Sequence, residues 1–210
     1  MGQKINPLGF RIGISKTHSS IWYSNSKKYF NFLNEDIKIR KFLTKKLISL
    51  GLSMIEIHRK SNYIFVNIHV LNPASLVNSQ ENNLYLLRSA LTTLIDNKIT
   101  NRELVLNIVE VTNPDLNARL LSYYIQEQLE KRVPFRKVIR TTVLKAQKAG
   151  TKGIKIQIAG RLNGAEIART EWFREGQVPL HTLKANVDYC SHTAQTVFGI
   201  LGIKIWVYVI

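Results

Sequence analysis

Between residues 131 and 165 stand ten Lys and Arg side chains with no Asp or Glu among them. So long an acid-free run suits a polyanionic partner, because each cation set against a phosphate releases a condensed counterion. Within the run Arg136 and Arg140 lie four residues apart, with Lys137 beside the first. On a helix that spacing makes one exposed cluster, able to grip a phosphate backbone without reading bases. A second acid-free stretch, residues 1–34, carries Lys4, Arg11, Lys16, Lys27 and Lys28. A solvated helix face is the ordinary meaning of clustered charge; a chain carrying +16 tips the balance toward nucleic acid. Cutting the chain at Thr112 leaves fifteen basic and seven acidic residues in each part, so both halves are expected to meet the polyanion.

Enzymatic chemistry finds little to work with. The chain has no G-x-x-x-x-G-K-[ST] loop, no G-x-G-x-x-G between strand and helix and no H-E-x-x-H. On a predicted hairpin a turn near Ser61 sets His58 opposite Phe65, which places His58 and His69 at unlike depths, and His181 has no clustered partner. Cys190 and His192 share one side of a predicted strand without an orienting third group, so a buried free thiol is expected. The lone cysteine cannot form an internal disulfide or a thiolate zinc site. We therefore expect no enzyme, cofactor, metal or small-molecule substrate. No stretch approaches the ~18 apolar residues of a membrane span, and the N-terminus lacks the features of a secretory or import signal.

These side chains need elements to hold them, and periodicity supplies them. Residues 35–50 place Ile37, Ile39, Phe42, Leu43, Leu47 and Ile48 at near-helical spacing, with Gly51 to end the helix. Alternation through Ile55 and Ile57, then through Ile64, Val66, Ile68 and Val70, predicts a β-hairpin. A helix over 84–96 and a strand over 103–111 follow, with a short extra helix near 72–77. That order is the one expected of a type II KH domain, a single-stranded nucleic-acid module. The second half starts at Asn113-Pro114 as cap and first helical residue, continues with a helix from Phe135 to Ala149, and predicts strands near 152–160, 165–175, 182–191 and 201–209. The expected fold class is α+β: an N-terminal KH-like domain, then two helices across a four-stranded sheet.

The stretch Gly160–Tyr189, G-R-L-N-G-A-E-I-A-R-T-E-W followed by R-E-G-Q-V-P-L-H-T-L and D-Y, resembles the C-terminal domain of the third protein of the small ribosomal subunit. The resemblance extends over essentially the whole chain, closely in MGQKINPLGFRIG and from Asn113 onward. It implies an rRNA-binding extension at 1–34, a KH-like domain at 35–112 and a C-terminal domain at 113–210. It implies a structural constituent of the subunit head, with small-subunit rRNA, messenger RNA and neighbouring ribosomal proteins as partners. Lys4, Asn6 and Arg11 would contact rRNA, as would Arg161, Arg169 and Arg174, the last three in competition with pairing to nearby Glu166, Glu171 and Glu175. Arg136, Lys137 and Arg140 would line the pore where messenger RNA enters. The KH loop departs from the family, with Asn78-Ser79-Gln80-Glu81 where G-x-x-G is usual, so the KH fold is expected without the usual phosphate grip. Gly150-Thr151-Lys152-Gly153 mimics that motif between a helix and a strand. The resemblance points to plastid members, hence a chloroplast ribosome, with the bacterial cytoplasm as alternative. The rival function is a free-standing KH-type regulator of single-stranded RNA.

Overall fold

A computed structural model describes residues 3–60, 62–77, 83–95 and 103–209. In chain order its elements are α1 (Pro7–Arg11), β1 (Ser20–Ile21), α2 (Ser26–Leu47), β2 (Leu52–Arg59), β3 (Tyr63–Val70), α3 (Ala74–Val77), α4 (Asn83–Leu94), β4 (Glu103–Glu110), α5 (Ala118–Glu130), α6 (Phe135–Lys148), β5 (Gly153–Gly160), β6 (Arg169–Gly176), β7 (Val187–Thr196) and β8 (Gly199–Tyr208). They sort into two units: His18–Thr112, and the residues through Thr17 together with Asn113–Ile210.

In the first unit the sheet runs β1-β2-β3-β4, with β2 and β3 antiparallel and β4 parallel to β3. Period-2 alternation puts Ile55, Ile57, Ile64, Val66 and Ile68 on one face, where they bury against Ile39, Leu43 and Leu47 of α2 and Leu91 of α4. The helix–strand–strand–helix–helix–strand order, with its parallel closing strand, is the type II KH arrangement. Gly51, at φ +71°, ends the 3-10 turn after α2.

Helix α2 starts nine residues before the predicted Glu35. Its first turns are polar and aromatic, and what stabilises them lies off the helix. Trp22 sits 5.4 Å from the Tyr29 ring and 5.8 Å from Phe32, and its indole donates to Asp36 at 2.8 Å. Arg59 reaches across from β2 to Asp36 and Glu35 while stacking 5.0 Å from Phe32. Arg40 donates to the Ser19 carbonyl and the Ser20 hydroxyl, fastening β1. Residues 18–34 thus belong to the KH-like unit, and the extension expected over 1–34 divides near Thr17.

The second unit holds a sheet in the order β6-β5-β8-β7, antiparallel throughout. Helices α5 and α6 cover one face, burying Ile125, Phe135, Val138 and Val143 on Ile154, Ile156, Ile158, Ile203 and Ile205. The helix predicted from Asn113 begins instead at Ala118, after a 3-10 turn over Pro114–Leu116. Asn117 is the effective cap: its side chain accepts from Arg119 and Leu120, and the Asp188 carboxylate accepts from the Ala118 N–H at 2.8 Å. β7 runs five residues later than predicted, and Thr182 and Ala185, inside the predicted strand, lie instead in a loop whose carbonyls accept from Arg11.

Candidate nucleic-acid interface

Helix α6 sorts its side chains by solvent. Phe135, Val138, Ile139, Thr142, Val143 and Ala146 are buried, whereas Arg136, Lys137 and Arg140 are exposed. None of these three cations finds a carboxylate within 4 Å among the described residues. Lys145 is engaged elsewhere, its ammonium 3.6 Å from the Tyr124 ring centroid. The turn before the helix contains Arg132, exposed at φ +61°, while Lys131 pairs back to Glu127. Charge counting missed Arg132 as a separate candidate. Its signal was its place immediately before Val133-Pro134, where the chain must reverse and a basic side chain is thrown outward.

Arg11 contradicts its expected role. It is fully buried. Its Nε donates to the Ala185 carbonyl at 2.9 Å, Nη1 to Pro7 at 3.2 Å, and Nη2 to Pro179, Leu180 and Thr182 at 3.0 to 3.2 Å. The guanidinium holds α1 and the 179–185 loop together and is shut off from solvent, so a phosphate does not reach it in this structure. Asn6 is exposed but caps α1, accepting from the Leu8 N–H at 3.0 Å. Lys4 alone of the three is an exposed and uncommitted side chain.

The three C-terminal arginines divide likewise. Arg161 donates to the Ala165 carbonyl at 2.8 Å and lies 6.0 Å from the Phe198 ring, tying the β5–β6 loop to the β7–β8 turn. Arg169 pairs with Glu171 at 3.6 Å, the competing outcome foreseen for it. Arg174 is exposed opposite Lys155 in the β5–β6 register. Asn78, Ser79, Gln80 and Glu81 lie outside the described residues. The literal G-x-x-G does backbone work instead. Gly150 takes φ +88° after α6, and a Cβ on Gly153 would meet the Gln177 carbonyl oxygen at 2.1 Å.

The groups that could resemble an active site are held in packing. Cys190 Sγ lies 3.4 Å from Ser122 Oγ, and burial pushes its thiol up, away from thiolate. His192 Nε2 is 2.6 Å from Gln126 Oε1, and burial, then Arg119, hold its imidazole below the usual histidine value. His58 does face Phe65, yet unlike depth does not separate it from His69: both Nε2 atoms stand 3.7 Å from Glu56 Oε2. No metal-binding group of three or more ligands occurs among the described residues. None of the described helices is long and apolar enough to cross a membrane.

Residues 125–207, which take in the end of α5, all of α6 and the sheet except the last residue of β8, match the family described as Ribosomal protein S3, C-terminal domain. The small ribosomal subunit protein uS3 of Rippkaea orientalis is 50% identical over 208 residues, covering 99% of this chain and 85% of its own. The chain belongs to the uS3 family. Plastid members agree over comparable lengths: the uS3c of Porphyra purpurea at 48%, with 99% and 89% covered, and that of Euglena gracilis at 47%, with 99% of both chains covered. This uS3 chain is therefore a structural constituent of the small ribosomal subunit, within the cyanobacterial and plastid lineage of the chloroplast ribosome. The relatives are matched over 99% of this chain, so the similarity spans the KH-like unit as well.

Proposed function

We propose that this protein holds small-subunit rRNA through its C-terminal unit and guides messenger RNA past the outer face of α6, without catalysing a reaction itself. The observation that carries the messenger role is the exposed, acid-free set Arg136, Lys137 and Arg140 on a helix whose opposite face is wholly spent on the sheet. A rigid helix presenting three cations along about one turn can hold successive phosphates of any sequence, which is what a passing message requires. The helix fixes the backbone of all three positions in advance, so contact costs side-chain ordering only and no backbone entropy. Arg132 extends the same cationic surface at the start of the helix.

Ribosomes carrying Arg136→Ala, Lys137→Ala and Arg140→Ala together test this. The three side chains are exposed, so each substitution should change stability by less than ~0.5 kcal/mol and the subunit should assemble. Translation through a stable hairpin downstream of the decoding site should slow more than translation of a matched unstructured message. Equal slowing on both would make the cluster a general binding element, and unchanged rates would make it an ordinary solvated face.

A further inference from the structure

The face of the C-terminal sheet away from α5 and α6 bears a second surface of mixed chemistry. Register decides its composition. On the outer strand β6, Glu171, Phe173 and Glu175 stand opposite Ile158, Ile156 and Ile154, the helix-covered side, whereas Thr170, Trp172 and Arg174 stand opposite Ala159, Gln157 and Lys155 on the open side. Asp188 of β7 likewise turns toward α5. No acid remains on the open side of the four strands.

What remains is an aromatic ring among cations. Trp172 is 62% exposed, although an indole left in water forgoes a large apolar burial. Lys155 lies between two indoles, 5.4 Å from the Trp172 ring and 5.1 Å from Trp206. Trp206 is covered, packed with Ala185, Val187 and Tyr189. Lys4 and Arg174 crowd Lys155 closely enough that, after burial, their charge helps hold its ammonium below the ordinary lysine value. Three like charges brought together at a cost in repulsion, beside a largely exposed indole and with no acid on the open side of the strands to relieve them, complement a polyanion that also carries flat bases.

We infer that Trp172 is a stacking platform for one unpaired base of small-subunit ribosomal RNA, with Lys4, Lys155 and Arg174 holding the phosphates on either side of it. The inference rests on reading this unit as an RNA binder. Ribosomal RNA is favoured over messenger because the proposed messenger surface on α6 lies on the opposite side of the sheet, and a stacked base suits a fixed contact. An aromatic without a base-specific polar frame binds any unpaired base, so the site selects single strand over duplex.

Two measurements on the full-length chain test it. At low salt, an oligoadenylate of about ten nucleotides should quench Trp172 emission, read as the difference between the native chain and Trp172→Phe, while an RNA duplex should quench far less. Trp172→Ala should weaken oligoadenylate binding by about 5- to 150-fold, the equivalent of one stacked base, and Trp172→Phe should keep most of the affinity. Native-like binding by Trp172→Ala, or equal losses for Ala and Phe, overturns the platform while leaving the RNA reading intact. A native chain that binds no oligonucleotide overturns both. In assembled subunits without message, Trp172→Ala should expose an rRNA base to chemical modification. An unchanged rRNA pattern together with loss of a neighbouring ribosomal protein would assign the surface to protein contact and refute the inference.

Discussion

Replacing Arg11 with Ala should unfasten the first seventeen residues from the C-terminal unit. Of the five hydrogen bonds made by its guanidinium, those to the Ala185 and Pro7 carbonyls are buried; the three from Nη2 to Pro179, Leu180 and Thr182 are partly buried. A charge-assisted hydrogen bond contributes about 1.5–3 kcal/mol, and acceptors near the surface can recover water after truncation. The two buried bonds together contribute about 3–6 kcal/mol, and with the partly buried Nη2 acceptors free to recover water and an allowance for non-additivity the expected loss is at least about 3 kcal/mol. With a urea slope of about 1–3 kcal/mol/M, the midpoint of this unit should fall by about 1 M or more. Lys at the same position keeps the charge but not the fork, so it should recover only part of the loss. Urea unfolding followed by far-UV circular dichroism, with hydrogen exchange resolved over residues 7–11, reads both effects. A change under ~0.5 kcal/mol with intact exchange protection would refute the anchor. Normal stability with selectively weakened rRNA binding would restore Arg11 to the phosphate-contact role read from sequence.

His192 makes stability pH-dependent. Its folded value lies below 6.5, so on acidification the unfolded chain takes up the proton first, and stability falls from about pH 6.5 downward until the folded imidazole titrates. Urea midpoints across that range should show a slope that His192→Gln flattens; identical slopes would mean the imidazole is not held neutral. Gly153→Ala should cost about 1–3 kcal/mol or more, since the added Cβ would sit 2.1 Å from a backbone carbonyl oxygen that no rotamer can move. Gly9→Ala, whose nearest neighbour is the Asn6 Cβ at 4.0 Å, is the near-neutral control, and thermal melts compare the two.

Much of this protein was legible in its residue order. Alternation at Ile154, Ile156 and Ile158 and at Ile203 and Ile205 marks strands with one buried face, because a period of two admits no other half-buried element. The periodicity of Phe135, Val138, Ile139, Val143 and Ala146 marks a helix that must leave Arg136, Lys137 and Arg140 outside, and the structure leaves them there. An excess of cations over acids points to a polyanion whatever the fold. Tertiary structure alone decided which cations are free. Arg11 and Lys4 read alike in an acid-free run, yet Arg11 meets carbonyls 168 to 174 residues away and Lys4 does not. The early start of α2 likewise depends on Trp22 and on Arg59 from another strand. Alternation along β6 already sets Trp172 and Arg174 apart from Glu171 and Glu175, but they join Lys155 in one surface only through the pairing of β5 with β6. Local spacing records which groups share an element's face. Partners supplied by distant segments leave no period in the chain, because register, loop closure and burial set them together at folding.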